Sequence, residues 1–193
     1  MDKILFNKDK TDLLQCSVGK TGAYTVPDTV ERIGKPSGGA FSGCSELTSV
    51  TIHADVNWIG SHGDKNVGAF AGCSKLTSIT VHEDNADYSS EDGVLFDKDK
   101  ETLFVYPAGK TGDFTMPATC DTISDKAFAG CVGLTTMPVL TGITSIGDSA
   151  FSGSGVTSAS WPDGVDFNLN MFSGCDNLKG IEISEDNDDY SFD

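Results

Sequence analysis

One short pattern recurs along the chain with its apolar positions intact: Ala-Phe-x-Gly-Cys-x-x-Leu-Thr. Full copies occupy 40–48, 69–77 and 127–135, and weaker ones begin at Ala150-Phe151-Ser152-Gly153 and Met171-Phe172-Ser173-Gly174-Cys175. The phenylalanines fall at 41, 70, 128, 151 and 172, giving intervals of 29, 58, 23 and 21, where 58 is twice 29. A unit of about 20–29 residues is one turn of a coil and cannot enclose a core alone, so the chain must bury its apolar residues by stacking unit on unit. The 58-residue interval must then hold two or more coils.

A longer period is superimposed on the short one. Leu5-Phe6-Asn7-Lys8-Asp9-Lys10 matches Leu95-Phe96-Asp97-Lys98-Asp99-Lys100 at an offset of 90, and Gly19-Lys20-Thr21-Gly22 matches Gly109-Lys110-Thr111-Gly112 at the same offset. A third copy opens near the end, where Glu185-Asp186-Asn187 repeats Glu83-Asp84-Asn85. Residues 1–193 therefore read as a single solenoid cut from a longer tandem array.

In Leu47-Thr48-Ser49-Val50-Thr51-Ile52 the apolar residues take the first, fourth and sixth places, and the register recurs at Leu76–Val81 and Leu178–Ile183. The second half of each segment reads as a short strand, with Val50 and Ile52 inward and Thr51 outward by the two-residue alternation. Successive strands should lie side by side as a parallel sheet along one face. The Ile146-Gly147-Asp148-Ser149-Ala150-Phe151 stretch returns the chain across the back, with Phe as the large core wedge and the glycine after it permitting a tight turn.

Composition narrows what such a coil can meet. The 22 glycines and the lack of long Ala/Leu/Glu/Lys stretches speak for turns and short strands over helices. A formal charge of -16 would repel a phosphate backbone, so nucleic acid is not an expected partner. No apolar run approaches a membrane span, and Met1–Phe6 carry neither a basic n-region nor an apolar h-region.

The extended motif Ile-Gly-x-x-Ala-Phe-x-Gly-Cys-x-x-Leu-Thr-x-Ile-x-Ile resembles the BspA-like leucine-rich repeat, over essentially the whole chain. The resemblance implies a right-handed coil of the α/β repeat-solenoid class, mostly strand and loop with little regular helix. It further implies secreted or cell-surface proteins of host-associated microbes, some adhering to host matrix proteins. The unit from Asp92 to Lys110 is similar to hairpin-like insertions in such proteins. No catalytic set comes with the resemblance, so the expectation is a protein- or glycan-binding module with neither enzymatic activity nor cofactor. The alternative is a spacer with no ligand of its own.

The candidate binding face comprises Ser49, Thr51, His53, Trp58, Ser78, Thr80 and His82, with Trp58, Trp161 and Tyr88 as the exposed-aromatic candidates. Cys44, Cys73, Cys131 and Cys175 share one place in the motif, while Cys16 aligns with Tyr106 and Cys120 with Val30, which reads as a ladder of buried thiols. No C-x-x-C supports zinc or redox chemistry. His53 and His82 close equivalent strands beside Asp55, Glu83 and Asp84, but nothing specifies a metal geometry, so an exposed strand-end role is favoured. Glu83–Asp87 and Glu185–Asp189 resemble calcium ligands in composition only and read as solvated turns. Residues 61–68 read as a surface loop, and the coil with Ser154 for Cys and Ala159 for Ile is expected to pack less well.

Overall fold

A computed structural model describes residues 4–34, 39–60, 68–112 and 114–183. Its strands are β1 (Ile4–Phe6), β2 (Asp12–Cys16), β3 (Gly22–Thr25), β4 (Arg32–Ile33), β5 (Leu47–Ile52), β6 (Trp58–Ile59), β7 (Ser78–Val81), β8 (Tyr88–Glu91), β9 (Val94–Asp97), β10 (Thr102–Val105), β11 (Thr122–Ile123), β12 (Ser145–Ile146), β13 (Ala159–Trp161) and β14 (Ile181–Ile183). A 3-10 turn at Leu169–Phe172 is the one helical element among the described residues.

The chain is a solenoid with parallel strands on more than one face. β3, β5 and β7 stack in parallel as one sheet, with Thr25, Thr51 and Thr80 in register. The residues ahead of the motif, expected only to return the chain, also pair. β2, β4 and β6 run parallel, as do β10, β11 and β12 in the second unit, because each coil brings a Leu or Ile to the same height.

The 90-residue period is a hairpin. β1 pairs antiparallel with β2, and β9 with both β8 and β10. The β8–β9 turn places Asp92 and Gly93 at φ 51° and 77°, the doubly left-handed pair that suits the twist of two-residue hairpins. The next turn is fixed by Asp97, whose carboxylate accepts from the N–H groups of Glu101 at 2.8 Å and Thr102 at 3.1 Å. Asn7 does the same for Asp12 N at 3.0 Å. β9 is buried on both sides: Leu95 packs with the apolar residues before it, from Leu13 to Tyr88, while Val94 and Phe96 pack with those after it, to Cys175.

Inside the coil the phenylalanines stack. Phe41 lies on Phe70 with centroids 5.1 Å apart, and Tyr106, Phe128, Phe151 and Phe172 continue at 5.1, 4.9 and 5.5 Å. Tyr106 is thus the wedge hidden in the 58-residue interval. The motif also carries a backbone ladder: the N–H of Phe41, Tyr106, Phe128 and Phe151 donates to the carbonyl of Ala69, Ala127, Ala150 and Met171 in the next coil, at 2.8–3.0 Å.

All six cysteines are buried and free. Three motif thiols face the wedge carbonyl of the coil before them: Cys73 Sγ donates to Phe41 O at 3.0 Å, Cys131 to Tyr106 O at 3.6 Å and Cys175 to Phe151 O at 3.0 Å, while Cys44 points to Ser17 O at 3.4 Å and Cys16 O at 3.8 Å. Burial pushes Cys16, Cys73 and Cys131 from 9.0 up to about 12. Native protein should therefore resist thiol titration, while unfolded protein should release six. A thiol whose pKa is raised by folding stabilises the fold fully below the unfolded value of 9.0, and that contribution fades as pH climbs towards 12. Urea unfolding across pH 8–11 should show falling stability; a flat profile would contradict buried, protonated thiols.

The Ser154–Ala159 coil packs better than its sequence suggested. Ser154 is buried and lies 3.4 Å from Cys175 Sγ. Trp161, in the place of Ile52, is 2% exposed, donates Nε1 to Val165 O at 2.9 Å and meets Phe167 edge-on at 5.1 Å. The larger ring supplies the volume that Ala159 lacks.

Candidate functional site

The outward face of the β3–β5–β7 sheet exists because the strands alternate: Leu47, Val50 and Ile52 are fully buried, while Thr48 and Thr51 point out. Thr25, Thr51 and Thr80 form an exposed row across three strands, one strand spacing of about 4.8 Å apart. A second row runs Ala23, Ser49, Ser78. Ser49 and Ser78 are half-buried, and Gly93 of the hairpin turn closes over Ser78, where a Cβ would come within 2.9 Å of its Oγ. Ile79 N donates to Gly93 O at 2.8 Å, so the hairpin caps this face at its third strand.

Two threonines at the second place of the strand segment, Thr77 and Thr157, are structural. Thr77 Oγ1 donates to Thr48 O at 3.1 Å and Thr157 Oγ1 to Thr135 O at 3.2 Å, so these hydroxyls bridge coils. Thr51 and Thr80, with Thr25, face outward in one row.

His53 and His82 fall side by side at the ends of β5 and β7, where His82 N donates to Ile52 O at 2.9 Å. Each imidazole Nδ1 accepts a backbone N–H two residues on, from Asp55 and from Asp84, both at 3.2 Å. His82 is half-exposed, but the His53 side chain is only 12% exposed, which removes it from the exposed strand-end role. Nε2 of His53 is buried without a hydrogen-bond partner among the described residues. Among the described residues no three His, Cys, Asp or Glu side chains converge as a metal site.

The aromatic candidates separate. Trp58 stands on β6, beside Arg32 in the row Asp12–Arg32–Trp58, on a different sheet from the threonines. Arg32 is ion-paired with Asp12, which raises its pKa further. Tyr88 and Trp161 are buried; Tyr88 is 1% exposed and its hydroxyl accepts Ile59 N at 2.9 Å, which sequence alternation cannot foresee.

The acidic turn 83–87 is organised from within. Asn85 is fully buried, its Nδ2 donating to His53 O and Val56 O at 2.9 Å each, its Oδ1 accepting from Asp87 N at 3.0 Å and Tyr88 N at 2.8 Å. Lys98 Nζ donates to the carbonyls of Glu83 and Asn85, so an ammonium sits where these oxygens converge. The second acidic stretch and the 61–67 segment lie outside the described residues.

Bacterial leucine-rich repeat proteins are among the solved structures that resemble this one. A leucine-rich repeat protein from Eubacterium ventriosum superimposes with a TM-score of 0.69 at 27% identity, over 84% of this chain and 42% of its own. The pneumococcal vaccine antigen PcpA does so at 0.60 and 22%, over 84% of this chain and 50% of its own. This chain therefore spans half or less of either. No curated protein matches it. The BspA type leucine rich repeat region matches in six copies over residues 16–92 and 101–192, and the chain belongs to that family.

Proposed function

We propose that this chain is a non-enzymatic binding module of a surface or secreted leucine-rich-repeat protein, and that its β3–β5–β7 face contacts a protein or glycan partner. The observation that carries this reading is the exposed, in-register row Thr25–Thr51–Thr80. A flat array of short hydroxyl side chains costs little conformational entropy to order against a partner, and the stacked coils hold it rigid. The strongly shifted titratable groups support a role without catalysis. They are thiols and tyrosines raised chiefly by burial, as core groups are. A host matrix protein or surface glycan is the partner class that the family resemblance favours.

The test is surface plasmon resonance of the purified chain against a panel of matrix proteins and glycans. A double substitution, Thr51→Lys with Thr80→Lys, is expected to weaken a saturable interaction about tenfold or more, roughly 1.4 kcal/mol. Binding that the double variant leaves unchanged would refute the strand-face assignment. No binding to any member would leave the spacer reading.

A further inference from the structure

The coil from Leu134 to Ile146 leaves the register its neighbours keep. At a constant offset of 87, Met137, Pro138, Val139 and Leu140 stand where Val50, Thr51, Ile52 and His53 stand. Ile52 is fully buried, yet Val139 is 76% exposed and Leu140, one place later, 5%. A slip of one residue at Pro138 has exchanged inside for outside. Proline has no N–H to give a ladder, and it takes the segment off the sheet.

The next coil does form its strand, β13, but that strand pairs with β14 alone. Ala159 N–H points at β14, donating to Gly180 O at 3.2 Å, so the Ser160 peptide, next along a parallel strand, points the opposite way. In the intact sheet the equivalent Thr51 carbonyl accepts Val26 N from the preceding coil at 2.9 Å. At Ser160 the preceding coil is the slipped one, and none of the backbone hydrogen bonds among the described residues crosses between 136–140 and 158–161. What lies there is a groove of about 700 Å³, walled by Met137, Val139, Ile143, Trp161 and Pro162. Asp163 is the charged residue lining it. Over 114–183 seven carboxylates face two lysines, a balance of -5.

We propose that this groove takes an extended, lysine- or arginine-bearing polypeptide segment, which pairs with the free edge of β13 as an added strand in the place the slipped coil vacates. Edge peptide groups supply the pairing, alternate apolar side chains of the segment meet Val139 and Met137, and its cationic side chains complement the acidic surround. The site is separate from the β3–β5–β7 face.

The probes are fluorescein-labelled heptapeptides alternating lysine with valine, isoleucine, leucine or phenylalanine, titrated with the full chain and followed by anisotropy. At least one should bind saturably with micromolar Kd. Glutamate in place of lysine, or N-methylation of alternate peptide nitrogens, should weaken it tenfold or more. Ser160→Pro removes an N–H that no backbone bond among the described residues uses and should do the same, as should Val139→Ser more mildly, both checked for folding by circular dichroism; the N-methylated peptides carry the test if a variant fails to fold. Thr51→Lys with Thr80→Lys should leave peptide binding intact, so failure here and failure of the strand-face reading are distinct. Absence of saturable binding across the series overturns the proposal. So do equal affinity for the glutamate or N-methylated peptides, and a dimer seen by sedimentation that Ser160→Pro abolishes, which would give the groove to a second copy of this chain.

Discussion

Replacing Phe128 by Ala is expected to cost about 3–5 kcal/mol, the range for truncating a large buried aromatic. Phe128 is fully buried, with Tyr106 stacked on one side at 5.1 Å and Phe151 on the other at 4.9 Å. Its neighbours are held by their own backbone ladders and cannot collapse into the space. Because coupling runs from coil to coil, the cavity severs contact between two stacks as well as removing a ring. Phe70→Ala should fall at the lower end of that range. Phe70 stacks on Phe41, is 6% exposed and already borders a cavity of about 60 Å³. Urea denaturation of both variants measures this, and a loss under about 1 kcal/mol at Phe128 would place its ring outside the core.

Asn85→Leu should be comparably damaging, at about 3 kcal/mol or more. The asparagine satisfies two carbonyls of the preceding coil and two N–H groups of its own turn. Leucine would leave four backbone groups without their partner, of which the Val56 carbonyl and the Tyr88 N–H are in buried bonds, each such loss costing roughly 1–3 kcal/mol, though not additively. Asn85→Asp separates hydrogen bonding from packing. It keeps the two accepted bonds but turns a carboxylate oxygen toward two carbonyls, so folding raises its pKa above the ordinary value of about 3.9. A carboxyl raised by folding holds its proton longer in the folded state, so the variant's stability falls as pH rises from the unfolded to the folded value. Relative to the parent, the Asp variant should melt higher at pH 5 than at pH 8; equal melting differences at the two pH values would show that the site is wet.

The parts of this molecule that were legible in its sequence are those specified within one coil. The inward Leu47, Val50 and Ile52, the Phe wedge and the buried cysteines follow from alternation and recurrence, the hairpin is implied by the family resemblance, and all are present. What escaped depends on partners in other coils. Asn85 looks like one more polar residue in an acidic turn until the carbonyls of His53 and Val56, 32 and 29 residues back, are brought above it. Tyr88 is buried for a comparable reason, its hydroxyl being taken by Ile59 N. The motif threonines divide into bridging and outward-facing ones only once the stack shows which carbonyl each reaches. The slip at Pro138 had a visible signal, a proline at an outward strand position, but Val139 behind it fits the inward template well enough to mask the break.

β9 has a mechanical consequence. With Leu95 facing one apolar stack and Val94 and Phe96 the other, the strand is a bulkhead between two compartments. Terminal coils have a neighbour on one side only and peel with the loss of a single interface, whereas extracting β9 strips both compartments at once and breaks two antiparallel ladders. Pulled from its ends, the array would yield in small steps from the outside inward, with the hairpin giving way last as the largest step. Damage begun in either compartment would thus be confined to its own side of β9.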